Sequence, residues 1–216
     1  MGTSTVPKLK GMPLIECLPK KYPNIEFVDY FKRGLVLTET VNLYNMYYTD
    51  YKPDIVIIQT GICDCAPRYL NSNKLFWKLL LNLLGHLGFE SYFWKIIKFI
   101  FSRRENCVYT KVDVFSQLYR NLIEKFIANG VKKIIVVKIG HAAESVAANN
   151  CYFNSNVDKY NNIINKIAVE KKDHIITIDP LHNVHEDLFV DGYHCNSNGM
   201  EKVYHDLDGL EINNLV

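Results

Sequence analysis

Asp54-Ile55-Val56-Ile57-Ile58-Gln59-Thr60-Gly61-Ile62-Cys63-Asp64-Cys65-Ala66-Pro67-Arg68 is the stretch on which the fold turns. Residues 54–60 are β-branched and apolar on successive positions, the pattern of a strand covered on both faces, as in a parallel sheet. Lys52-Pro53 punctuates a turn just ahead of it. Glycine, cysteine and charged residues follow at once, where α/β sheets place their ligands, beyond the C-terminal ends of the strands.

The same pattern recurs along the chain. Lys133–Ile139 (KIIVVKI), preceded by Asn129-Gly130, and His174–Asp179 (HIITID) read as further buried strands, and Ile25–Tyr30 (IEFVDY) as a fourth. Between them, Val112–Ala128 carries apolar residues at 114, 115, 118, 122, 123, 126 and 127, close to a 3.6-residue period. Val157–Glu170 does the same with Val157, Tyr160, Ile163, Ile164 and Ile167. Strands alternating with helices predict an α/β fold with a mostly parallel sheet, and 216 residues suit a single domain, 1–216.

Leu75–Phe101 departs from the alternation. Gly85 and Gly88 divide it into two amphipathic helices, each too short to span a bilayer and interrupted by Lys78, Lys95 and Lys98. It is read as a helical insertion at 70–111, packed as a hairpin on the core. Sharper readings are a lid over the site, a face for self-association through 75–101, or an in-plane membrane contact.

Composition narrows the function. Apolar residues make up 48% and charged residues 22%, as in a globular protein rather than a disordered one. Net charge is +2 and no basic stripe stands out, which argues against a nucleic-acid partner. Six cysteines without a C-x-x-C pair suit reduced thiols, and with no apolar leader after MGTSTVPKLKG the expectation is a cytoplasmic protein without a transmembrane segment. Met1-Gly2 touches the N-myristoylation pattern but has Val6 where serine or threonine is required.

Four places carry candidate chemistry. Gly2-Thr3-Ser4-Thr5 can present a hydroxyl at a strand tip, although serine and threonine at a chain start are more often caps. Arg33-Gly34 can bring a backbone N–H close to a ligand or simply form a turn. In the opening stretch, Gly61, Cys63, Asp64 and Arg68 can line a polar pocket wall; alternatively Asp64 caps the next helix and pairs with Arg68. Asp191-Gly192-Tyr193-His194, followed by Asn196, Gly199 and a polar helix at Ser197–Leu207, allows a carboxylate to fold back on an imidazole. That arrangement suits general acid–base work, as does a structural turn. A zinc site of Cys63, Cys65, His194 and Cys195 is disfavoured by the C-x-C spacing, and a Cys63–His194 nucleophile pair is a further alternative.

Taken in order, Gly2-Thr3-Ser4, Gly34, Gly61-Ile62-Cys63-Asp64 and Asp191-Gly192-Tyr193-His194 resemble the four blocks of the SGNH (GDSL-type) hydrolases. DGYHCNSNGMEKV is similar to that family's ending, and GICDCAPR looks like a variant from members linked to bacterial surface polysaccharides. The resemblance implies a flavodoxin-like three-layer α/β/α fold with a shallow site above the C-terminal edge of the sheet. It implies no cofactor and no metal, with Ser4 as nucleophile, His194 as base, Asp191 as the group orienting His194, and oxyanion donors at the backbones of Ser4 and Gly34.

Two departures stand out. Where the family has an asparagine as third oxyanion donor this chain has Cys63, a weak donor, and Asn154 is the expected substitute. The family's first strand leads into the Gly-x-Ser turn, yet only Met1 precedes Gly2, so a natural product longer by roughly five to ten residues is expected. The implied activity is hydrolysis or transfer of an acyl group through an acyl-enzyme, with O-acylated carbohydrate as the candidate substrate class. The rival within the same fold is a catalytically impaired module that binds a carbohydrate or a protein. A nucleotide or phosphate binder would want a glycine-rich loop that is absent.

Overall fold

The computed structural model describes residues 14–30, 34–67, 75–101, 107–182 and 186–215, without side chains at 14–16, 49–50, 75–78, 90 and 98–101. Ser4, Arg33 and Arg68 lie outside the described residues.

Three parallel strands form the sheet: β1 (Ile55–Ile58), β2 (Lys133–Val137) and β3 (Ile175–Ile178), in the order β1-β2-β3. The register runs from Ile55 opposite Lys133 to Ile58 opposite Val136, and from Ile134 opposite Ile175 to Val137 opposite Ile178. Backbone bonds extend past these bounds: Ile134 N–H donates to His174 O at 2.8 Å and Lys138 N–H to Ile178 O at 2.9 Å.

The helices are α1 (Leu14–Lys21), α2 (Leu37–Tyr51), the one-turn α3 (Ile62–Cys65), α4 (Leu75–His86), α5 (Glu90–Phe101), α6 (Val112–Ala128), α7 (Glu144–Asn149), α8 (Phe153–Glu170) and α9 (Ser197–Asp208). They cover both faces of the sheet, which explains why the strands are apolar on successive residues. Ile134 and Val136 of β2 join Tyr44 and Tyr48 of α2, Phe115, Leu122 and Phe126 of α6, and Tyr160 and Ile164 of α8 in one core. Ile135 and Val137, pointing the other way, join Leu18 of α1 and Met200, Val203 and Leu207 of α9 in the second. This is an α/β fold in three layers.

The periodicity of residues 112–128 predicts α6 with its observed bounds, and Asn129-Gly130 ends it, Gly130 at φ +89°. Gly88, at φ +73°, breaks the segment after α4, as the glycine spacing implies.

Residues 25–30 do not form the expected strand. Ile25, Phe27 and Asp29 are half-buried while Glu26 and Val28 are exposed, and Ile25 and Phe27 pack against the second core. The segment has the one-sided burial of a strand, but it finds no ladder partner among the described residues. Without paired N–H and C=O groups, extended backbone is not a strand.

Candidate active site

The D-x-x-H turn is held at both ends. Val190 N–H donates to His194 O at 2.8 Å and Asn196 N–H donates to Leu188 O at 3.0 Å, around an antiparallel bridge between Phe189 and Cys195. Asn196 then caps α9 by accepting from Gly199 N–H at 3.1 Å, and its amide donates to Asp187 O at 2.6 Å. Within the turn Gly192 takes φ +86°, and its carbonyl accepts from Ala143 N–H at 2.6 Å.

That geometry brings Asp191 and His194 together. Both Asp191 oxygens lie 2.9 Å from His194 Nδ1, and Oδ1 also accepts from the His194 backbone N–H at 3.1 Å. An ionised carboxylate only accepts, so it holds the ring proton on Nδ1 and places the basic lone pair on Nε2. The Tyr193 ring lies beside the imidazole, centroids 4.2 Å apart, and is itself backed by Phe153 at 5.4 Å.

Tyr193 and Cys195 share a crevice with Gln59, Thr60, Ile62 and Ile139, at the C-terminal ends of β1 and β2. The spacing of the D-x-x-H residues therefore delivers them to the edge where parallel sheets bind ligands. Gly61 sits at this edge with φ +116°, and a Cβ there would lie 2.5 Å from Ile139 Cδ1. Only glycine fits the turn from β1 into α3.

Gln59 and Thr60 were not singled out by sequence pattern. Both are buried, Thr60 to 4% exposure, and Gln59 Oε1 and Thr60 Oγ1 have no hydrogen-bond partner among the described residues. Leaving such atoms unsatisfied costs about 1–3 kcal/mol each. Two polar residues closing an otherwise apolar strand were the available signal.

Asp64 departs from its expected place in a pocket wall. It is fully buried at 0% exposure, and its carboxylate accepts from Leu37 N–H at 3.2 and 3.1 Å and from the Thr110 hydroxyl. It therefore caps α2, not the helix that follows it. Val36, the residue before α2, makes no side-chain cap of its own. Burial raises the Asp64 carboxyl to about 6, against the lowering effect of the Thr110 and Leu37 bonds. Asp64 also ties the Gly61 turn to the segment that starts at Gly34, an exposed residue at φ +71°.

Asn154 departs too. Its Oδ1 accepts from Ala142 N–H at 2.8 Å and its Nδ2 donates to Ala142 O at 3.2 Å. Two turns along α8, Asn161 pairs with Ile139 the same way, at 3.0 and 2.8 Å. These amides act as extra peptide groups that fasten the loop after β2, so Asn154 is an anchor rather than an oxyanion donor. Cys63 is buried in α3.

Burial pushes the Cys65 thiol well above its ordinary range and the Cys195 thiol up to about 12. Among the described residues no three His, Cys, Asp or Glu side chains gather as metal ligands.

No protein-family model matches the sequence, and comparison with curated proteins finds no match. Solved structures do resemble the fold. Axe2, an acetylxylan esterase from Geobacillus stearothermophilus, superposes with TM-score 0.58 at 16% identity, over 89% of this chain and 76% of that one. The acetyl xylan esterase AlAXEase gives 0.57 at 14%, over 90% and 88%. LAE5, an alpha/beta hydrolase enzyme from the metagenome of Lake Arreo, Spain, gives 0.58 at 14%, over 89% and 76%. At such identity the likeness establishes a shared fold, and the described residues place the D-x-x-H turn at the C-terminal edge of its sheet.

Proposed function

We propose that the chain is a serine ester hydrolase or acyl transferase of SGNH type acting on O-acylated carbohydrate. The observation that carries the reading is the contact between Asp191 and His194 Nδ1, 2.9 Å from each carboxylate oxygen. The acetyl xylan esterases that share the fold support a carbohydrate ester as substrate. On this reading residues 1–216 are one domain, with 70–111 inserted in it.

Ser4 Oγ attacks the ester carbonyl while His194 Nε2 takes its proton. The backbone N–H groups of Ser4 and Gly34 stabilise the tetrahedral oxyanion. Collapse expels the sugar hydroxyl, which leaves with the proton from His194, and the acyl group stays on Ser4. Water or a second hydroxyl, deprotonated by His194, then releases the acyl group. Gln59 and Thr60 line the crevice beside the D-x-x-H turn.

The test is hydrolysis of acetylated xylo-oligosaccharide and of a short-chain nitrophenyl ester by wild type, Ser4→Ala and His194→Ala. Loss in both variants is expected; equal rates in wild type and Ser4→Ala would remove Ser4 as nucleophile.

One observation favours a second reading, a binding module with weak or no turnover. Cys63 offers no amide at the third donor position, and the Asn154 amide is committed to Ala142. Failure of a fluorophosphonate to label Ser4 would favour this reading. A rise of about a hundredfold in kcat for Cys63→Asn, the size of one oxyanion donor, would favour the slow enzyme.

A further inference from the structure

The near-neutral total charge conceals an uneven distribution. Residues 74–104 hold Lys74, Lys78, Lys95, Lys98, Arg103 and Arg104 against Glu90 as their single acid. The rest of the chain is net acidic. Both tryptophans of the protein, Trp77 and Trp94, fall in this same basic stretch.

α4 and α5 occupy that stretch and pack on each other. Their apolar side chains are not used up by the packing. Leu79, Leu83 and Leu87 are 61%, 56% and 58% exposed, spaced by four so that they share one stripe, and Phe89, Tyr92 and Ile96 are exposed as well. Lys95 stands among them in solvent. Elsewhere on the described surface large apolar side chains are scattered, which is ordinary. Here six of them, Leu79, Leu83, Leu87, Phe89, Tyr92 and Ile96, fall on one hairpin.

We infer that the α4–α5 hairpin docks the protein on an anionic lipid surface, lying in the plane of the interface. The chemistry fits. Leucine, phenylalanine and isoleucine partition toward the acyl boundary, tyrosine and tryptophan toward the headgroups, and lysine reaches to lipid phosphate along its alkyl stem. Each basic residue near such a surface adds about 1 kcal/mol of attraction. Neither helix can cross: no helix among the described residues is long and apolar enough to span a membrane. A second copy of the hairpin is the poorer partner, because face-to-face pairing would bring like charges together, the exposed Lys95 of each copy among them. The inference stands apart from the ester chemistry and fails or holds without it.

The test uses the full chain with vesicles of phosphatidylcholine, with and without phosphatidylglycerol. Because Trp77 and Trp94 are the only tryptophans, intrinsic fluorescence reports on the hairpin directly. The expected result is flotation with the anionic vesicles, a blue-shifted emission on binding, and loss of both at high salt. Leu83→Glu with Leu87→Glu is expected to weaken binding roughly tenfold or more while the melting temperature stays put, since both side chains are already in solvent. Lys95→Glu should weaken binding to anionic vesicles by a similar factor. Equal binding to neutral and anionic vesicles, or no binding to either, would overturn the inference. So would concentration-dependent self-association without lipid that the double glutamate variant abolishes.

Discussion

Asp191 holds His194 at two points: its Oδ1 accepts the His194 backbone N–H at 3.1 Å, and both its oxygens lie 2.9 Å from Nδ1 of the same residue. The backbone bond fixes where the imidazole starts, and the side-chain contact fixes which nitrogen carries the proton. Asp191→Asn separates these jobs. Asparagine Oδ1 can still accept the backbone N–H, but an amide presented to Nδ1 favours the wrong tautomer. The expected outcome is a fall in kcat of roughly 10²–10⁴ with KM and melting temperature near wild type. Steady-state kinetics on a short-chain ester checks it, and activity within twofold of wild type would remove Asp191 from the mechanism.

Thr60→Val tests the crevice. The Thr60 hydroxyl is buried without a partner, so the fold bears its desolvation cost. Replacing it with a methyl of the same shape should leave the melting temperature equal or higher. Because that hydroxyl is closed off from solvent, KM for an acetylated oligosaccharide should stay within about twofold of wild type. A lower melting temperature would mean that the hydroxyl has a partner in the folded protein, and a raised KM that the crevice opens to substrate.

What was legible in the sequence was what depends on neighbours along the chain. β1, β2 and β3 follow from their β-branched runs, α6 from its period, and the Asp191–His194 contact from a three-residue spacing around a glycine. What was not legible depends on distant partners. α2 begins at Leu37 behind Val36, which has no capping side chain, because the cap, Asp64, comes from 27 residues further on. Asn154 reads as a substitute oxyanion donor, yet α8 starts at Phe153 and pairs that amide with Ala142. Residues 25–30 show the alternation of a strand, and pairing, not alternation, decides whether one forms.

Asp64 predicts a pH dependence of stability. Its carboxyl titrates at about 6 in the native state, above its ordinary 3.8, chiefly because burial disfavours the charge. The native state thus favours the protonated form. The contribution is fully present below about pH 4 and is lost as pH rises through 6, amounting to about 3 kcal/mol by linkage. Asp64→Asn has no charge to bury, yet its carbonyl can still accept from Thr110 or Leu37. Thermal melts from pH 4 to 7 should show the variant gaining on wild type as pH increases. A constant difference across that range would mean that Asp64 titrates normally in the fold.

Gly192 is the position where the turn is most exposed to a single methyl. Its φ of +86° strains any residue with a side chain, and a Cβ would lie 2.3 Å from Val146 Cγ2 on α7. Gly192→Ala must therefore push the turn away from α7, stretching the 2.6 Å bond from Ala143 N–H to Gly192 O and shifting Asp191 and His194 on either side. The backbone strain costs about 1–3 kcal/mol of stability. Activity should fall further than stability does, because a displacement near 1 Å at a catalytic base costs on the order of a hundredfold. Val146→Ala in the same chain removes the collision but not the strain. The double variant should regain much of the lost kcat and little of the lost melting temperature. If it regains melting temperature and not turnover, the Val146 collision sets stability alone, and the position of the Asp191–His194 turn is not what limits the reaction.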